Sequence, residues 1–122
     1  MDPTTGASVD VCEISSASAP GGRVLTVVGE VDLGASEKLE AEIAGAVGDL
    51  DPGAELVLDL KGVAFLDSAG LRALLHGSDA AAAAEVRLAF VLSPAVTRVF
   101  EMTRIGPEVF GIAAPDWDSA AR

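Results

Sequence analysis

The sequence predicts an α/β domain: a four- to five-stranded mixed, mostly parallel sheet with three to four helices mainly on one side. Two observations carry this. Residues 23–31, 55–60 and 86–92 are rich in Val and Leu and nearly continuous in apolarity, the pattern of strands buried on both faces. Between them lie stretches whose apolar residues recur at spacings of three and four, the period of an amphipathic helix. Strand–helix–strand repetition calls for parallel strands joined by right-handed crossovers. The 122 residues fit one domain and leave no room for two.

Taken in order, residues 1–8 are small and polar and are expected to be flexible, the domain proper spans 9–117, and 118–122 form a tail. Residues 9–14 alternate and read as an edge strand, and 15–22, rich in Ser, Ala, Pro and Gly, read as a turn. With the strand at 23–31 they suggest a hairpin. A first helix is expected from Ser36, with Leu39, Ile43, Ala46 and Val47 on one face and a stop at 48–53. After the short strand at 55–60, Leu71, Leu74, Leu75, Ser78 and Ala82 mark a second helix. Its alanine run at 80–84 needs no explanation beyond helix propensity. The strand at 86–92 leads into Ser93-Pro94, an N-cap followed by proline at the first helical position. That third helix has Val96, Val99, Phe100 and Thr103 on its inner face and ends at Gly106-Pro107. A last strand is expected at 108–112, and one or two turns after Pro115 in which Trp117 packs. The expected core is Val27, Leu39, Ile43, Leu56, Leu58, Leu71, Leu75, Leu88, Phe90, Val99 and Phe100.

Composition narrows the function. Eight basic residues against nineteen acidic ones give a net charge of −11. A field of that sign repels phosphate backbones and anionic membranes, so neither nucleic acid nor membrane is an expected partner. It suits a protein with a basic patch, and it also suits solubility alone. Cys12 is the only cysteine, which excludes an intramolecular disulfide and a cysteine zinc cluster. Residues 1–5 lack the basic and apolar regions of a signal peptide, and no apolar run approaches the ~20 residues that span a bilayer. A cytoplasmic protein is expected.

The most informative stretch is 56–71, where a buried strand ends, a short loop turns, and a helix starts at Asp67-Ser68. Ser68 is placed at or beside the N-cap, where its hydroxyl can accept from a first-turn N–H. It can be that cap and nothing more. The same place also tolerates a phosphate, because free N–H groups and the positive helix end face it. A kinase could then change surface charge there without unfolding the helix.

Three segments in order resemble the signatures of the STAS family. They are Gly29-Glu30-Val31-Asp32-Leu33, then Leu58-Asp59-Leu60 with Phe65-Leu66-Asp67-Ser68-Ala69-Gly70-Leu71, then Ser93-Pro94 with Val96 and Arg98-Val99-Phe100-Glu101-Met102-Thr103. Within the family the chain resembles the anti-sigma factor antagonists. The resemblance implies a partner that is both an anti-sigma factor and a serine kinase of the GHKL class. Binding releases the sigma factor, phosphorylation of the serine ends the interaction, and a metal-dependent serine phosphatase restores it. By position the resemblance makes Ser68 the phospho-acceptor and sets Asp32 beside it. Asp67 and Gly70 shape the turn, and Asp32, Asp67, Ser68, Ala69 and Gly70 form the partner-binding set. The chain departs from the family where a basic residue and a glycine are frequent late in and after the second helix; Asp79 and Ala84-Glu85 stand there. Arg104 stands where a glycine is usual. These changes bear on which kinase is recognised.

Other chemistries find little support. A nucleophile elbow needs glycine two residues before the serine, and Leu66 is there. His76, the only histidine, lies eight residues along the helix, or ~12 Å, out of reach of the Ser68 hydroxyl. One His and one Cys make no metal site, and the glycine-rich places lack the Lys-Ser/Thr of a phosphate loop. No cofactor and no catalytic residue are expected. The competing reading is another kind of STAS protein, an adaptor docking on a transporter ATPase or a stressosome scaffold, in which Ser68 is only a cap.

Overall fold

The structure, a computed structural model, describes residues 12–103. The stretch 1–8 expected to be flexible, the start of the expected edge strand at 9–11, the helix end expected at Gly106-Pro107, the strand expected at 108–112, Trp117 and the tail lie outside these residues. The elements run β1 (Cys12–Ala19), β2 (Gly22–Val31), α1 (Leu33–Gly48), β3 (Glu55–Leu66), α2 (Ser68–Ala83), β4 (Arg87–Val91) and α3 (Pro94–Thr103). They form one four-stranded sheet in the order β1-β2-β3-β4. β1 pairs antiparallel with β2, and β2, β3 and β4 run parallel. This is the expected mixed, mostly parallel sheet.

Two successive crossovers step the same way across the sheet, so right-handedness puts α1 and α2 on one face. There Leu39, Ile43 and Val47 of α1 meet Leu25, Val27, Leu56, Leu58 and Leu60 of the strands, together with Leu71 and Leu74 of α2. Gly77 of α2 lies against Ile43, which a side chain at 77 would collide with. α3 sets Phe100 against Phe90, ring centroids 6.4 Å apart. Each fully buried aliphatic side chain contributes roughly 1.5–3 kcal/mol, so this layer supplies most of the driving force. Nine of the eleven expected core residues are buried. Leu75 and Val99 are only half-buried, and Leu74 and Val96 take the fully inward positions.

Three boundaries differ from expectation. β1 extends to Ala19 through what reads as a turn, leaving only Pro20-Gly21 to reverse the chain. Gly21 has φ +74° there, as the third residue of a type II turn requires. An edge strand contributes mainly backbone pairing, so exposed Ser and Ala suffice at 15–18. The start of α1 is Leu33 rather than Ser36, which is buried in the first turn with its hydroxyl donating to the Leu33 carbonyl at 2.8 Å.

The third difference matters most for function. β3 does not stop at Leu60 and turn; it continues to Leu66. Its register against β2 slips twice, between Thr26/Val28 and between Gly29/Glu30, each time with an extra residue in β3. Such bulges re-aim side chains. Inward residues therefore change from Leu56, Leu58, Leu60 to Val63 and Leu66, with two exposed residues in each gap. The period of two is lost, and the strand is hidden from a reading based on alternation.

α2 ends without the glycine usual after a helix. Val86 N–H donates to the Ala81 carbonyl at 2.9 Å and Glu85 N–H to that of Ala82 at 3.2 Å, a Schellman-type closure. It forces Glu85 to φ +60°, the only non-glycine with positive φ among the described residues. A side chain in that conformation costs about 1–2 kcal/mol, partly offset by the unfolded-state entropy of glycine. Glu85→Gly is therefore expected to stabilise the protein by about 0.5–1 kcal/mol, read as a higher midpoint in urea at unchanged slope. A lower midpoint would refute this account of the helix end.

Candidate functional site

The candidate site is built where β2 and β3 end. Their last residues, Val31 and Leu66, are register partners, and the Asp67 N–H donates to the Val31 carbonyl at 3.2 Å. Each strand passes through a single aspartate into a helix. Asp32 caps α1, its Oδ1 accepting from the Ala35 N–H at 3.1 Å. Asp67 caps α2, its Oδ1 accepting from the Gly70 N–H at 2.9 Å. The aspartate carbonyls open the two helical ladders, accepting from Ser36 N–H at 2.8 Å and Leu71 N–H at 2.9 Å. Two capped helix starts thus stand side by side on one edge of the sheet.

The serine is consequently not the cap. Asp67 does that work, and Ser68 is the first residue of α2, exposed at its positive end. Among the described residues its hydroxyl makes no hydrogen bond, and the helix is capped by Asp67 instead. Asp32, Asp67 and Ala69 are half-buried around it.

Gly70 is buried, and its role in the geometry is close approach. A Cβ there would lie 2.6 Å from Leu66 Cδ1 and 2.9 Å from both Val31 Cγ1 and the Val31 carbonyl oxygen. The absence of a side chain lets the first turn of α2 sit directly on the strand ends. It seats the turn that Ser68 opens against Val31, the last residue of β2.

The surroundings hold little machinery for bond-making. His76 is exposed on α2, with Nδ1 3.1 Å from Glu40 Oε2 of α1, and so ties the two helices together. Cys12 is buried at the start of β1, and burial pushes its thiol up, against a smaller lowering by Lys38 and a further rise from Asp32. A thiol held protonated is a poor nucleophile. Among the described residues no group of His, Cys, Asp and Glu could hold a metal ion, and no helix is long and apolar enough to cross a membrane.

Two features beside the site escape the sequence reading. Leu33, the first residue of α1, and Phe65, two residues before Asp67, are large apolar side chains left exposed. Leu33 falls outside the helical face of Leu39, Ile43 and Val47, a signal that was present. Phe65 gives none, because its direction depends on the second register slip.

The family model described as MlaB, STAS domain, matches residues 14–109. The chain belongs to the STAS family. Among solved STAS structures, an anti-sigma factor antagonist from Mycobacterium paratuberculosis is 27% identical, with a TM-score of 0.72, over 91% of this chain and 94% of that one. The anti-sigma factor antagonist SpoIIAA in its unphosphorylated form is 25% identical, with a TM-score of 0.63, over 78% and 84%. The phosphorylated form of the Bacillus cell fate determinant SpoIIAA, at 23% identity and a TM-score of 0.61 over 78% and 86%, shares the fold. No curated protein sequence matches the chain.

The geometry separates cap from close approach within this STAS domain. Asp67→Ala removes the cap and is expected to cost about 0.5–2 kcal/mol, with Asp67→Asn nearly neutral. Gly70→Ala gains up to ~1 kcal/mol of helix propensity but must push α2 off the Val31 carbonyl, at about 1–3 kcal/mol. The net effect should be destabilising. Chemical denaturation measures both; a stabilised Gly70→Ala would contradict the close approach.

Proposed function

We propose that this STAS protein is an anti-sigma factor antagonist working by partner switching in the cytoplasm, without enzymatic activity of its own. Its unphosphorylated form binds an anti-sigma factor that is also a GHKL-class serine kinase, freeing the sigma factor. Phosphorylation of Ser68 ends the complex, and a serine phosphatase restores it. Asp32, Asp67, Ser68 and Ala69 make the contact surface, with Gly70 holding α2 in place beneath them.

The observation that carries this reading is Ser68 itself. It is exposed at the first position of a sixteen-residue helix whose cap is supplied by another residue. A phosphate there meets the positive helix end and leaves the cap untouched. The fold has no reason to change, so the modification acts through charge. It adds about −1.5 to −2 charges beside two carboxylates already present. At ~7 Å from a partner carboxylate, with an effective dielectric between 20 and 80, the repulsion is roughly 1 to 5 kcal/mol. With 1.4 kcal/mol per factor of ten, that weakens a complex from several-fold to a few thousand-fold. The likeness to two anti-sigma factor antagonists supports the assignment.

The test takes the purified GHKL-class anti-sigma kinases of the source genome, each with ADP for binding and with ATP for phosphorylation. One of them is expected to bind the wild type and to modify Ser68. Ser68→Ala should bind as the wild type does and resist modification. The phosphorylated protein should bind at least several-fold more weakly, and Ser68→Asp should fall between. Equal affinities of all forms would leave Ser68 a surface residue of the helix start and favour the adaptor reading.

A further inference from the structure

Among the described residues, four large apolar side chains are exposed: Val28 at 46%, Leu33 at 70%, Phe65 at 48% and Met102 at 71%. Two of the four lie within two residues of a capping aspartate. Leu33 directly follows Asp32 as the first residue of α1, the position that Ser68 holds in α2. Phe65 precedes Leu66 and Asp67 and is paired across the ladder with Glu30 of β2. Scattered exposed leucines need no explanation. Two apolar side chains exposed at the same edge as the two capping aspartates are a different matter, because a protein interface consists of desolvated apolar anchors around which polar contacts set register.

Neither residue is required by the fold. Leu33 adds nothing to the layer between α1 and the sheet, where Leu39, Ile43 and Val47 are inward. Phe65 points out in the gap between the inward Val63 and Leu66. Each has a carboxylate as its neighbour, Asp32 beside Leu33 and Glu30 beside Phe65. The close seat of Gly70 on Val31 and Leu66 keeps the first turn of α2, which Ser68 opens, on the strand ends from which both residues are one or two positions away.

We infer that Leu33 and Phe65 are the two apolar anchors of the partner-binding surface. The surface fits a protein that presents two apolar sockets, each rimmed by Arg or Lys that meets Asp32 or Glu30. This rests on the function proposed above and adds to it. Ser68 decides whether the complex persists, and Leu33 and Phe65 supply most of its affinity. The partner is the anti-sigma kinase, since its catalytic site must reach Ser68 at the same edge of the sheet as the two anchors. Apolar burial is not weakened by added salt, whereas repulsion from a phosphate is screened. The two contributions can therefore be told apart.

The experiment titrates the anti-sigma kinase that modifies Ser68, with ADP, against the wild type, Leu33→Ala, Phe65→Ala, the double variant and Ser68→Asp, at low and high salt. Melting temperatures check the fold; both residues are exposed, so these should hold. Each alanine is expected to weaken binding about tenfold at either salt concentration, and to raise KM for phosphorylation of Ser68 more than it lowers kcat. The Ser68→Asp loss should shrink as salt rises. Leu33→Ala and Phe65→Ala binding like the wild type, with Ser68→Asp still impaired, overturns the anchors and leaves the proposed function standing. If no such kinase binds or modifies the wild type, both fall together.

Discussion

The hydrogen bond from the Asp67 N–H to the Val31 carbonyl, and the pairing of Val31 with Leu66 behind it, is the constraint on which the candidate site depends. It makes two parallel strands finish level. Since each strand hands over to its helix through one aspartate, level strand ends mean level helix starts. Had β3 ended at Leu60 and reached α2 through a loop, Ser68 would sit on a flexible segment with no fixed relation to Asp32. The extended strand turns two short motifs, far apart in sequence, into one rigid edge.

That extension relies on two register slips, and they bear on how much of the molecule is legible in its sequence. The strand–helix order, the parallel core and most of the expected inward residues could be read, because apolar runs and helical spacing report burial directly. Asp32 and Ser68 could be read from their motifs. What could not be read is what depends on backbone pairing rather than side-chain pattern. β1 is held by its ladder to β2, and its exposed serines carry no strand signal. The far half of β3 spaces its buried residues three apart, Leu60, Val63 and Leu66, which resembles neither a strand nor a loop.

The capping residue shows the same division at finer scale. Asp and Ser are both good N-caps, and Asp67-Ser68 offers one of each in sequence. Sequence alone leaves the choice open by one position. The structure resolves it through Gly70, whose N–H reaches the Asp67 carboxylate at 2.9 Å while its missing Cβ allows the turn to settle on Val31. A one-residue shift would exchange the roles: serine would hold the helix, and phosphorylating it would break the cap.

This shift decides what kind of switch the site can be. If the modified residue were the cap, phosphorylation would act on stability as well as on binding, and the helix start would move. With Asp67 as cap, the helix start already has its acceptor, and the added charge is free to act outward. Under the proposed function it acts in an acidic field, since Asp67 precedes Ser68 and Asp32 caps the neighbouring helix in a chain of net charge −11. An acidic surface of this sort draws in a basic partner and is poor at holding it once two more charges bring carboxylates on both sides into repulsion. The apolar anchors proposed at Leu33 and Phe65 would answer that difficulty. On that proposal they would give the unmodified complex an affinity that does not rely on charge, and charge would set its lifetime.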